Sequence, residues 1–233
     1  MKQNKSEDAE YRDQGLTRPK VLILVPFKKH ALKLIKIIIS LLTHNKDETK
    51  ISVSNRKRFF DAYGPTESED ELEELKAKKK TAVDGEEDDD ESNEFRNKKP
   101  EDFRLLLRGN VDDLFRIGLS VSKKSLKLYT EFYSSDIIIA SPLGLASVIN
   151  GEEKAHGDYD FLSSIEMLVL DNTDVLMMQN WEHVLTVFEN LHLQPKKSHN
   201  ADFSRVRHWL LDGLASHYRQ TIVLSQIPAP QIN

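Results

Sequence analysis

The stretch FLSSIEMLVLDNTDVLMM, Phe161 to Met178, decides how the rest of the chain is read. Its centre, Ile165 to Leu170, is a predominantly apolar run, too short for a buried helix and branched enough for a buried strand. Asp171-Asn172-Thr173-Asp174 closes the run, and an amphipathic segment, Val175 to Leu191, follows it. In open α/β sheets ligands gather where strands end and helices begin, so an acidic cluster there is where chemistry is sought. Asn172 stands among those acids, and an amide cannot serve as a base at neutral pH.

Similar joints lie on either side. Lys20 to Val25 is a buried-strand run stopped by Pro26, and Ala31 to Leu42 follows as a helix with Leu34, Ile35, Ile38, Leu41 and Leu42 on one stripe. Lys50 to Ser54 is a short strand running into the basic Asn55-Arg56-Lys57-Arg58 and then Phe59-Phe60. Val111 to Val121 alternates at period two, and Leu126 to Tyr129 pairs back on it as a hairpin. Asp136 to Ala140 is another strand, followed by Ser141-Pro142-Leu143-Gly144 and a helix to Ile149. Phe203 to Tyr218 reads as helix and Thr221 to Leu224 as a last strand ending in Ser225-Gln226. Buried strands alternating with helices predict an α/β fold, a mostly parallel sheet with helices on both faces.

The net charge of −5 over 233 residues hides an asymmetry. Glu67 to Glu94 holds fourteen acidic residues and four lysines; without it 29 basic residues face 24 acidic ones, a net of +5. That balance permits nucleic-acid contact without demanding it. Gly64 to Pro100 has too few large apolar residues to offset its ordering entropy and reads as a disordered insertion within one domain. Residues 1–17, without periodicity, read as a disordered N-terminus, leaving 18–233 as the domain. No apolar run approaches the roughly 18 residues needed to span a bilayer, so no membrane is expected. Zero cysteines exclude disulfides and zinc fingers.

Four segments, in order, resemble elements of the first RecA-like domain of a DEAD-box helicase. They are VLILVPFKKHALKLI (the Ia element), DIIIASPLGLASVI (Ib), VLDNTD (Walker B) and RQTIVLSQIPAPQI (the third motif). The likeness implies a RecA-like, P-loop helicase-type sheet. Its departures imply a degenerate one. Asn172 stands between Asp171 and Asp174 where the family's Walker B has its water-orienting glutamate, Gln226 follows Ser225 where the third motif has alanine, and no G-x-x-x-x-G-K-[ST] phosphate loop occurs in these residues. By position Lys28 and Ser141 match family residues that hold the nucleic-acid backbone. Lys28, Lys29 and Ser141 are therefore RNA-binding candidates, on loops expected side by side at the carboxyl ends of neighbouring strands; the alternative reading is that the lysines solvate a helix start and Pro142 is a first-turn proline. Arg56, Lys57 and Arg58 beside Phe59-Phe60 are candidates for a strand clamp, or else a solvated loop over core phenylalanines. No metal set and no catalytic residue is assigned, and no cofactor is expected.

The phrases RDQGLTRPKVLILVPF, FYSSDIIIASPLGL, MQNWEHVL and FSRVRHWLL resemble the digestive organ expansion factor family, nucleolar helicase-like proteins associated with small nucleolar RNA. The resemblance spans Arg12 to Asn233 apart from the insertion, and family members are longer at both ends. It implies a ribosome-biogenesis factor of the small-subunit processome in the nucleus and nucleolus, needed for pre-rRNA processing and small-subunit rRNA maturation. Its expected partners are pre-ribosomal RNA, the small nucleolar RNA–protein complex and other processome proteins. In that reading the chain is a non-enzymatic, helicase-like scaffold. An active ATP-dependent RNA helicase and a protein-only interaction module are the alternatives.

Overall fold

The computed structural model describes residues 11–43, 51–65, 100–151 and 157–232. Seven strands form one sheet: β1 (Val21–Leu24), β2 (Ser52–Ser54), β3 (Arg116–Val121), β4 (Ser125–Thr130), β5 (Ile137–Ala140), β6 (Met167–Leu170) and β7 (Gln220–Val223). They lie in the order β2-β4-β3-β5-β1-β6-β7, and only β3 runs against its neighbours. The expected hairpin is the β3–β4 pair, with a register shift at Gly118/Leu119. β1 is the central strand, locked in register between β5 (Leu22 opposite Ile138) and β6 (Leu22 opposite Leu168).

Alternation along the strands splits the apolar side chains between two faces. On the first, Leu22, Leu24, Ile138, Ala140, Leu168 and Leu170 pack under α4 (Pro142–Asn150) and α6 (Trp181–Glu189). On the second, Val25, Ile117, Leu119, Leu126, Leu128 and Ile139 pack under α1 (Lys28–Thr43) and α2 (Arg56–Tyr63). Phe59 of α2 is wholly buried and stacks on Tyr63 with ring centroids 4.4 Å apart. Apolar residues at successive positions of a strand are what a sheet covered on both faces requires.

Several expectations are corrected. Asn55 to Arg58 is no loop: after Asn55 in a left-handed conformation (φ 61°), Arg56 opens α2. The segment Val175 to Leu191 is two helices, α5 (Thr173–Met178) and α6, because the Asn180 side chain accepts the Glu182 N–H and caps a new start. Phe203 to Tyr218 is also broken, into α7 (His208–Leu211) and α8 (Ala215–Tyr218), with Gly213 at φ +71° between them. Within the N-terminal segment Arg12 to Thr17 is held on the fold, contrary to the disordered reading, while Tyr11 is exposed. Leu16 and Thr17 are buried, the Thr17 N–H donates to Ser164 Oγ, and Gln14 bridges to Val206. Single docking contacts of that sort leave no periodic pattern. Residues 1–10 and the insertion from 66 to 99 lie outside the described residues; α3 (Glu101–Leu106) resumes the chain after it.

Candidate functional site

β1, β5, β6 and β7 run parallel, so the segments after them gather at one end of the sheet. The Ia-like loop before α1 and the Ib-like loop before α4 do lie side by side, on neighbouring strands. What fills the space above them is the chain itself. Residues 110–115 run as a strap across the starts of α1 and α4. The Lys28 and Lys29 N–H groups donate to Asp112 and Asn110 carbonyls at 2.9 and 3.0 Å, and Ser141 N–H donates to the Phe115 carbonyl at 3.1 Å. These are the orphan amides that a helix start would otherwise offer to a phosphate.

The side chains follow the same pattern. Lys28 Nζ is 2.6 Å from an Asp112 carboxylate oxygen and stands 5.7 Å over the Tyr63 ring. Partial burial alone would raise the Asp112 carboxyl, but hydrogen bonds from Lys28 and the Leu114 N–H outweigh it and hold the group below the ordinary carboxylate range. Lys29 Nζ donates to the carbonyls of Leu105, Leu106 and Arg108, closing the carboxyl end of α3. Ser141 is buried: its Oγ accepts the Gly144 N–H at 2.9 Å and donates to the Phe115 carbonyl at 3.3 Å. A Cβ on Gly144 would meet that carbonyl at 2.2 Å, so glycine there is what lets the strap lie on α4. A cavity of about 220 Å³ remains beside the first turn of α4, lined by Asp113, Ser141, Pro142, Leu143, Gln179, Asn180 and His183. Neither Lys28 nor Lys29 lines it.

The Walker-B-like residues sit between β6 and α5. Asp171 N–H pairs with the Leu24 carbonyl, and an Asp171 carboxylate oxygen accepts the Asn172 N–H at 3.0 Å. Asn172 is left-handed, φ 53° and ψ 50°, with no capping bond from its side chain. That backbone tolerates asparagine far better than glutamate, which gives the departure from the helicase pattern a local physical basis. Asp174 accepts the Gln226 N–H at 3.5 Å, so the Walker-B-like and third-motif-like turns do meet; Ser225 Oγ donates to the Ile227 carbonyl at 2.7 Å. Among the described residues no three His, Asp or Glu side chains gather as a metal site.

The remaining candidates form a different surface. Arg56, Lys57 and Arg58 are exposed on the first turn of α2. Arg56 and Lys36 each lie 5.6 Å from the Phe60 ring, and Arg58 lies 4.4 Å from the Tyr129 ring. Among the described residues no carboxylate pairs with any of the three. Phe59 is excluded from stacking on a ligand because it is buried.

Sequence reasoning missed two features here. The strap is built from main-chain carbonyls, which carry no side-chain signature. The second is a buried clasp at the other end of the sheet: Asp160 accepts the Lys197 N–H at 3.1 Å and His199 Nε2 at 2.7 Å, and His199 stacks on Tyr133 at 3.9 Å.

A seven-stranded, mostly parallel sheet with acidic and polar turns gathered at one end defines a mixed α/β domain of the nucleotide-hydrolase-like class. The family model described as "UTP25, NTP hydrolase-like domain" matches residues 1–233, and the chain belongs to that family. It is 48% identical over 227 residues to the U3 small nucleolar RNA-associated protein 25 homolog of Xenopus tropicalis, covering 97% of this chain and 26% of the relative. Against the human homolog it is 45% identical over 227 residues, covering 97% and 27%. Against U3 small nucleolar RNA-associated protein 25 of Podospora anserina it is 45% identical over 231 residues, covering 99% and 30%. The chain thus spans between a quarter and a third of the length of these relatives.

Proposed function

We propose that this chain is a RecA-like, helicase-shaped domain of a small-subunit processome factor, working in the nucleolus as a scaffold for pre-ribosomal RNA maturation without turning over nucleotide. The observation that carries the reading is the strap. In a working helicase cleft the helix starts after β1 and β5 must be free to hold a phosphate backbone; here their amides, both lysines and Ser141 are bonded within the chain. Asn172 adds that no carboxylate base stands between Asp171 and Asp174. The names of the relatives, which associate them with U3 small nucleolar RNA, support the assignment to the processome, and the phrases shared with the digestive organ expansion factor family point the same way.

RNA contact is assigned to Arg56, Lys57 and Arg58. Three cations on the positive end of a helix oppose its dipole, at roughly 0.3–1 kcal/mol each, and no carboxylate among the described residues neutralises them. A local rule broken with no carboxylate to offset it points to a functional surface. The guanidinium groups of Arg56 and Arg58 lie over Phe60 and Tyr129, which fixes them while leaving their N–H edges for phosphate oxygens. The test is binding to a short unstructured RNA at two salt concentrations. Reversing Arg56, Lys57 and Arg58 to glutamate should weaken binding at every sequence. It should also flatten the log–log salt slope by roughly 2, at about 0.7 for each phosphate no longer neutralised. An unchanged affinity and slope in a variant that still melts like the parent would remove the patch from the reading. Failure of the parent to bind at low salt would favour a protein-only module, and ATP turnover that vanishes in Asp171→Ala would favour an active helicase.

A further inference from the structure

Among the described residues six other than glycine have a left-handed backbone. Five are asparagine or histidine, types that often adopt it; the sixth is Tyr129, at φ 59°. A bulky side chain is strained there, and such strain persists only where the surroundings impose it. What imposes it is a bulge. β3 and β4 pair Leu119 with Leu128 and Gly118 with Thr130, so Tyr129 is the extra residue of β4. Strict alternation would send Tyr129 to the face opposite Leu128. The bulge turns it to the same, second face, where its ring centroid lies 6.4 Å from that of Phe59. A Cβ on Gly118 would meet the Thr130 carbonyl oxygen at 2.3 Å, so the bulged strand closes only over a glycine. The Leu128 carbonyl accepts Asn55 Nδ2 at 2.9 Å, and Asn55 is the residue from which α2 starts. The bulge is thereby tied to the first turn of α2, and Arg58 of that turn lies 4.4 Å over the Tyr129 ring. Bulges re-aim side chains, and this one brings a ring under a guanidinium.

We infer, resting on the RNA contact proposed for the α2 surface, that Arg58 backed by Tyr129 is a stacking site for an unpaired RNA base, with Arg56 and Lys57 on neighbouring phosphates. Core packing does not account for the joint, since Tyr129 is only half-buried and Arg58 is exposed. An ion pair would fix Arg58 equally well but would neutralise it. A ring beneath the guanidinium fixes it, keeps its charge and leaves its other side to solvent. Guanidinium planes and aromatic faces are where proteins stack unpaired bases, whereas a duplex keeps its base faces covered. Phe60, also half-buried, stands under Arg56 at a longer 5.6 Å. Three cations acting by charge alone would hold any polyanion of the same spacing. The ring held under Arg58 makes the surface sensitive to whether the strand carries bases.

The test compares a short oligouridine with an abasic ribose-phosphate strand of the same length, which carries the same phosphates and no bases. The chain should bind the oligouridine about tenfold more tightly, within the range of one stacked base. Arg58→Lys keeps the charge but loses the plane, so it should erase that preference and leave the salt slope unchanged. Tyr129→Asn removes the ring at a backbone that asparagine tolerates and should erase the preference too. Tyr129→Phe keeps the ring and should retain it; melting curves establish that each variant is folded. Equal binding of the two strands by the parent overturns the stacking site while leaving phosphate contact at α2 standing. A preference that survives Arg58→Lys or Tyr129→Asn overturns it as well. If the parent binds neither strand, RNA contact at α2 falls and the stacking site falls with it.

Discussion

Replacing Asn172 with glutamate restores the carboxylate that the helicase pattern has at this place, and the structure says what that change costs. Asn172 sits at φ 53°, ψ 50° and opens α5 without a capping bond from its own side chain, so no hydrogen bond is lost. A left-handed backbone costs an ordinary L-residue roughly 1–2 kcal/mol and asparagine less. A carboxylate at a helix start recovers roughly 0.3–1 kcal/mol, but Asp171 and Asp174 already hold negative charge beside it and cancel much of that. The net expectation is a loss of about 1 kcal/mol, or a melting temperature lower by about 2–4 °C for a chain of this size. Asn172→Gly, free of the left-handed penalty, should stay within about 0.5 kcal/mol of the parent. Thermal melting of the three proteins, with phosphate release measured in the presence of ATP and RNA, makes the check. A glutamate variant that melts at or above the parent would refute the backbone as the basis of Asn172. One that gains turnover, lost again with Asp171→Ala, would refute the scaffold reading.

Lys29→Ala should cost about 1–2 kcal/mol, because three carbonyls at the end of α3 lose one charged donor; hydrogen exchange should rise over 101–112 before the rest of the chain opens. Burial pushes the His30 imidazolium down, to a pKa of about 4 against 6.5 unfolded, so between these values the unfolded chain binds the extra proton. Stability should therefore fall as the pH drops from 6.5 to 4, by on the order of 2 kcal/mol once solvent screening of the half-buried ring is discounted, and His30→Phe should flatten that limb in urea melts, leaving the smaller contribution of the same sign from His192. Burial alone would raise the Asp160 carboxyl, but N–H groups of Lys196 and Lys197 and the His199 ring outweigh it and hold it below 3.8, so its contribution is present above that value and lost as the pH falls further. Asp160→Asn should remove this acid limb and loosen the 195–201 segment, seen as faster exchange there.

How far the fold was legible depended on whether an element announces itself through side-chain period. β1, β5 and β6 do, because their two-residue alternation is apolar on both faces, and the β3–β4 hairpin does through Ile117, Leu119 and Val121, although the strand read from Val111 begins only at Arg116 and residues 111–115 belong to the strap. α2 does not: a helix opening on Arg56, Lys57 and Arg58 contradicts the charge preference of a helix start, so the residues read as loop. Asn180 and Gly213 were visible as residues, but their roles as a cap and a break depend on neighbours that only the folded chain supplies. The joints after β1, β5, β6 and β7 were legible as a candidate site. The strap that occupies two of them was not, since carbonyls of Asn110, Asp112 and Phe115 form it.

That difference separates two kinds of cation which the sequence shows alike. Lys28 and Lys29 stand on the first turn of α1, and Arg56, Lys57 and Arg58 on the first turn of α2; both groups oppose a helix dipole. The first pair is offset by Asp112 and by three carbonyls, so its charge serves the fold. In the second group Arg56 and Arg58 have rings beneath them and all three cations are exposed, with no carboxylate among the described residues to offset them. Charge reversal tells them apart by what fails first. At Lys28 and Lys29 melting should fall with any loss of RNA affinity following it, because the strap is released. At Arg56 to Arg58 affinity should fall while melting holds or rises, because glutamate suits a helix start. A protein in which both reversals lowered melting equally would have no cation set aside for a partner, and the α2 surface would then be structural like the other.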